Sequence, residues 1–160
     1  MNGKEFRSDS FQLFGSRWAL VTAGSPGRFN TMTISWGGLG TLWNRDVATV
    51  YIRPERYTFG FINESERFSI SFFPEAYHQD LALLGSRSGR DGDKLAQTKL
   101  TPLELAGGVM GFAEASTTLI CRKLFWQDLE KANMLPEIAD GVYGSAQTHR
   151  MFIGEVERIL

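Results

Sequence analysis

Hydrophobic and polar positions alternate with period two in several separate stretches of this chain. In the stretch 30–36, Asn30, Met32, Ile34 and Trp36 share one face, and Thr31, Thr33 and Ser35 share the other. This predicts a strand, and its hydroxyl face can be read in two ways. It is either the solvated side of an edge strand or the wall of a pocket for a polar, planar ligand. Gly37, Gly38 and Gly40 follow between Trp36 and Trp43, which reads as a flexible loop. Strands are also predicted over 17–22, 46–53, 67–72, 101–105, 109–113, 115–126 and 149–160. In the stretch 67–72, Phe68, Ile70 and Phe72 alternate with Ser69 and Ser71.

Helical spacing is rarer. Ser8 or Asp9 can cap a short helix over 11–14 that Gly15 stops. Pro54 suits the first position of a helix over 55–62. Pro74 opens another, with Tyr77, Leu81 and Leu84 on one face and Gly85 as its C-cap glycine. A short helix begins at Asp93 or Lys94, and 127–144 reads as irregular or partly helical. Residues 23–27 carry turn chemistry. Many strands with two or three inserted helices predict a mainly β (α+β) fold, an antiparallel barrel decorated by helices, in a single domain over 1–160. There is no regular β–α alternation.

The 160 residues carry a formal net charge of -1, with 42% hydrophobic and 22% charged residues. That balance fits a globular chain and gives no general attraction to nucleic acid or to an anionic membrane. The polar N-terminus lacks a secretory apolar segment, so a cytoplasmic location is expected. Cys121, the single cysteine, alternates with apolar residues and is assigned to the core. No Cys/His spacing suggests a metal.

The most polar stretch, 85–94, combines Arg87, Arg90 and Lys94 with Ser86, Ser88 and three glycines, the donors and cations that a phosphate needs. As a plain solvated loop it would instead use Asp93 to cap the next helix. It is not a P-loop, and the chain has no GxGxxG fingerprint. Arg53 and Arg56 flank Pro54 at a strand-to-helix junction, where helix N–H groups and Thr58 add further donors. His149 opens the last strand, and His78 reads as solvated on its helix. No nucleophile–base set and no carboxylate pair stands out.

Taken in order, NTMTISWG, VYIRPERYT and SGRDGDK resemble the flavin reductase-like family of FMN-binding split barrels, with the flavoredoxin branch nearest. HRMFIGEVE is similar to that family's last strand. The resemblance runs from about residue 17 to the C-terminus. It implies a split β-barrel that binds FMN non-covalently, as a homodimer with flavin sites near the interface. By that similarity Asn30, Thr31, Met32 and Thr33 approach the isoalloxazine ring or ribityl chain, and Ser35 and Trp36 continue the wall. Arg53, Arg56 and Thr58 lie near the ribityl-phosphate end, and Ser86, Arg87 and Lys94 help hold the phosphate. His149 sits near the ring or an incoming nicotinamide. The implied activity is an NAD(P)H-dependent flavin reductase that uses NADH or NADPH and passes hydride through FMN to free flavin or another acceptor. The alternative is an FMN electron carrier that serves a redox protein partner.

Overall fold

The structure is a computed structural model that describes Met1 and residues 3–160. Nine strands carry it: β1 (Ala19–Ser25), β2 (Arg28–Ile34), β3 (Gly37–Leu42), β4 (Arg45–Ile52), β5 (Arg67–Phe72), β6 (Pro102–Glu104), β7 (Met110–Phe112), β8 (Thr117–Asp128) and β9 (Arg150–Ile159). Seven form one antiparallel sheet in the order β2-β1-β5-β8-β9-β4-β3, and β6 and β7 form a separate hairpin. Met32 and Ile34 come from one end of that order and Ala48 and Val50 from near the other. All four belong to one buried cluster with Val21, Phe68, Ile70, Cys121 and Phe152, so the sheet curls around a single core. Its edge strands β2 and β3 are consecutive in the chain but do not pair. The barrel is therefore split along the Ser35–Trp36 seam.

Two hairpins show how sequence sets the curl. Pro26 and Gly27 link Ser25 to Arg28 in register, with Gly27 at φ 83°, a conformation that costs glycine nothing. Trp43 and Asn44 link Leu42 to Arg45 with φ of 52° and 57°, the backbone of a type I′ turn. Asparagine adopts it readily, whereas Trp43 holds it at a cost. Irregularities in the β8–β9 register, between Ile120 and Cys121 and between Lys123 and Phe125, bend the longest strand pair.

The outer face of the sheet is covered as well. Leu20 packs with Phe73, Leu81, Leu84, Leu100 and Phe112 in a second cluster beneath α2 (His78–Ser86) and β7. This explains why β5 is buried on both faces despite its alternation. Ser69 donates to the Met110 carbonyl at 2.6 Å, and Ser71 pairs with Thr118 at 3.1 Å. α1 (Tyr57–Glu64) packs Phe61 and Ile62 into the inner core.

Several elements depart from the sequence reading. The segment after Trp36 is the edge strand β3, because its backbone pairs with β4 from Gly37↔Val50 to Leu42↔Arg45. Gly37 is required there, since a Cβ would lie 2.5 Å from the Phe14 ring. The N-terminal helical turn is a π-helix, Gln12–Ser16, that runs through Gly15. The Asp9 carboxylate caps it by accepting from the Phe11 and Gln12 N–H groups. α1 starts at Tyr57, with Pro54 in the preceding turn. α2 keeps Gly85 inside it and ends at Arg87. His78 stacks on Trp18 at 4.1 Å and is half-buried. β1 runs later than expected, through Ser25, which narrows the turn to Pro26 and Gly27.

Candidate functional site

Two cavities lie side by side along the split and share Met32 and Arg56. The first, about 190 Å³, is enclosed by β2, the start of α1 and the loop after α2. Asn30, Met32, Arg56, Thr58, Ser86, Arg87 and Lys94 line it, and Glu55, Tyr57 and Gly89 complete it. The second, about 210 Å³, is lined by Met32, Thr33, Ser35, Trp36, Arg53, Arg56 and His149, with Ile34 and Tyr51. Of the residues singled out from the sequence, Thr31 alone lines neither.

The first cavity is a cation site. Lys94 is 5% exposed, and its Nζ donates to the carbonyls of Leu84 and Arg87, each at 3.3 Å. Arg56 donates to the Gly85 carbonyl at 3.2 Å. Among the described residues no carboxylate is in ion-pair range of Lys94, Arg56 or Arg87. Burial and then the Arg56 charge bring Lys94 down to about 8, and burial lowers Arg56 against the opposing influence of Glu55. Two half-desolvated cations in one cavity, neither with a carboxylate in ion-pair range among the described residues, suit a multiply charged anion. No side chain caps α1 at Arg56, so the helix start adds its partial positive charge to the same space. Asn30 Nδ2 donates to Thr58 Oγ1 at 2.7 Å, which ties β2 to α1. A Cβ on Gly89 would meet Asn30 Oδ1 at 2.3 Å, so the loop approaches β2 as only glycine allows.

The second cavity combines aromatic walls with Arg53 and Arg56. Trp36 packs against His149 with ring centroids 4.8 Å apart. His149 Nδ1 lies 2.8 Å from the Tyr143 hydroxyl. Burial first and then the Arg53 charge lower the imidazole's affinity for a proton, while Glu55 opposes them. Arg53 pairs with Glu55 at 3.7 Å and lies over the Tyr143 ring. A flat heterocycle with polar edges fits this setting.

Thr31 lies away from both cavities, and the hydroxyls of Thr33 and Ser86, which line them, are already engaged. Thr31 is 1% exposed, and its hydroxyl is used by Thr22 Oγ1 at 2.9 Å and the Val21 carbonyl at 3.2 Å. Thr33 donates to the Leu81 carbonyl of α2, so its hydroxyl is already engaged at the cavity rim. Ser86 is exposed and donates to the Leu83 carbonyl at 2.9 Å. The hydroxyl face of β2 is thus neither solvated nor a row of free donors: β1 and α2 take up its hydroxyls. Sequence reasoning missed Tyr51 and Tyr143. Tyr51 alternates within a strand like any core residue, and Tyr143 lies in a segment without a motif.

Residues 11–160 match the flavin reductase like domain model, and the chain belongs to that family. None of the curated proteins matches it in sequence. Among solved structures, it is similar to the FMN-binding protein of Thermus thermophilus at 21% identity. That match covers 100% of this chain and 79% of the other, with a TM-score of 0.70. It is similar to the FMN-binding domain of a flavin reductases-like enzyme from Shewanella baltica OS155 at 25% identity, covering 94% and 71%, TM-score 0.68. It is also similar to flavoredoxin of Desulfovibrio vulgaris (Miyazaki F) at 22% identity, covering 100% and 76%, TM-score 0.69. The fold is that family's split barrel. Among the described residues no helix is long and apolar enough to cross a membrane.

Proposed function

We propose that the chain binds FMN across the two cavities and works as an NAD(P)H-dependent flavin reductase, delivering electrons to free flavin or another acceptor. One observation carries the reading: a pocket of cations, whose one lining carboxylate, Glu55, pairs with Arg53 instead, adjoins an aromatic pocket through Met32 and Arg56. The first has the donors for a phosphate, and the second has the walls for a tricyclic ring. Lys94, Arg56 and Arg87 hold the phosphate, with the N-terminus of α1 behind them. Trp36, Met32 and His149 border the ring. When bound, FMN supplies two-electron redox chemistry that none of the protein's side chains provides. The protein orients the ring, leaves one side open to a nicotinamide and neutralises the phosphate.

The FMN phosphate carries about −1.5 to −2 charges at neutral pH, by analogy with phosphorylated side chains. Riboflavin has the same ring without that charge. Lys94→Ala removes a charge-assisted contact worth roughly 1.5–3 kcal/mol, so FMN affinity should fall about 10- to 100-fold. Riboflavin affinity should hardly change. Fluorescence titration of apo-protein with both ligands makes the comparison, and equal losses for the two would contradict the phosphate assignment. Anaerobic stopped-flow observation of the flavin band after adding NADH or NADPH then separates a reductase from an electron carrier. Rapid bleaching by either nucleotide supports the reductase, and its absence in an FMN-loaded protein supports the carrier.

A further inference from the structure

Between residues 127 and 144 one side chain is buried, that of Tyr143, at 7% exposure. Everything else in that segment is exposed or half-exposed, so this side chain pins it to the barrel. The Tyr143 ring meets His149 edge-on at 5.6 Å and lies under the Arg53 guanidinium at 5.7 Å. Its hydroxyl reaches His149 Nδ1 at 2.8 Å and has no other hydrogen-bond partner among the described residues. Nε2 of His149 makes no hydrogen bond among the described residues. No buried side-chain nitrogen or oxygen is left unsatisfied among the described residues, so Nε2 opens into space. His149 lines the aromatic cavity.

We propose that Tyr143 is a positioning residue: it donates its hydroxyl hydrogen to Nδ1, holds His149 as the Nε2–H tautomer and turns that N–H toward the ring pocket. There the N–H serves a carbonyl oxygen of the bound heterocycle, and this last step rests on the flavin reading. The hydrogen count favours this arrangement. A neutral imidazole carries one N–H and one bare nitrogen. Were the proton on Nδ1, the Tyr143 hydroxyl would accept it and its own hydrogen would be left buried without an acceptor, a costly state. A doubly protonated ring is opposed first by burial and then by the Arg53 charge. Of the groups facing His149, Glu55 alone favours it, and Arg53 partly neutralises Glu55.

The test is a long-range ¹⁵N–¹H correlation spectrum of the uniformly labelled protein, in which only His78 and His149 contribute imidazole signals. Near pH 7.5 His149 should show a bare Nδ1 and a protonated Nε2, with and without FMN. In Tyr143→Phe the two nitrogen signals should move toward each other as the tautomers exchange. The ring should titrate at higher pH, and FMN affinity should fall about two- to tenfold. A protonated Nδ1 in the wild-type spectrum overturns the proposal, and this reading needs no variant to fold. A folded Tyr143→Phe with unchanged nitrogen signals and titration overturns it too. The expected spectra in a protein that takes up no FMN would uphold the tyrosine's role and sink the flavin reading alone.

Discussion

Lys94 shows most directly what the site costs the empty protein. Its ammonium is nearly inaccessible, makes two long contacts to carbonyls and faces Arg56. Burial and that neighbour bring it from the ordinary 10.5 to about 8. In the unfolded chain the lysine keeps its proton to above pH 10. Between about pH 8 and 10.5 the unfolded state therefore binds a proton that the folded state has lost, and stability rises with pH across that window. Below pH 8 the penalty is fully present. A shift of this size corresponds to roughly 3 kcal/mol. Denaturant melts of apo-protein at pH 7.5 and pH 10 should thus show wild type gaining about 1–3 kcal/mol relative to Lys94→Met. Saturating FMN should abolish the gain, because a phosphate keeps the ammonium charged. Parallel pH profiles for the two proteins would mean that Lys94 is solvated rather than held in a dry cation pair.

At the scale of the element, the barrel tolerates bulk unevenly. Gly154 of β9 sits where the inner core is tightest. A Cβ there would lie 2.7 Å from the Phe68 ring and 2.8 Å from Cys121 Cβ, and both side chains are fully buried. Gly154→Ala should cost about 1–3 kcal/mol by overpacking. Gly38→Ala on β3 has open space around its new methyl and should stay within about 0.5 kcal/mol. Thermal melts of both variants check the contrast, and equal shifts would show that the core opens to accept the methyl. The same asymmetry explains which elements could be read from the sequence. β2, β4 and β5 announce themselves through alternating, β-branched and aromatic residues. β3 hides because three of its residues are glycines, kept for close approach to Phe14 and for an open edge rather than for strand preference. Pro54 and Gly85 mislead about helix ends for different reasons: Pro54 lies in a local turn closed by the Arg56 N–H on the Arg53 carbonyl, and Gly85 stays helical where α2 packs close to Thr33. The cation cavity was legible because its residues cluster in two short polar stretches around Arg53 and Arg87. The Tyr143–His149 pair was not, since nothing in a polar, motif-free segment marks which side chain turns inward.

At the scale of the whole molecule three tryptophans stand uncovered, and one of them, Trp36, adjoins the site. Trp36 is 48% exposed at the rim of the ring cavity, Trp43 is 57% exposed at the β3–β4 turn, and Trp126 is 54% exposed on β8. Trp43 stands edge-on to Phe125, which connects the turn to β8. Leu135, Ile138 and Val142 add apolar surface on the segment that Tyr143 anchors. Exposed tryptophans beside a sheet edge are costly to leave in water and make strong anchors between chains. We propose that two copies pair through the β3 edge, which Trp36 and Trp43 flank, so that light scattering gives twice the 17.9 kDa chain mass. Trp43 permits an unusually clean test. It holds a left-handed backbone that asparagine adopts more readily, so Trp43→Asn removes the anchor while easing the turn. The variant's subunits should dissociate at least about 10-fold more readily, as befits the loss of an interface anchor. The fold of each subunit should not suffer for it. If the pairing also completes the ring pocket at Trp36, FMN affinity should fall with dilution in step with the dimer. Sedimentation and flavin fluorescence on one dilution series follow both quantities. A wild-type protein that stays at the mass of one chain at micromolar concentration refutes the pairing. A dimer unaffected by Trp43→Asn places the contact on another face.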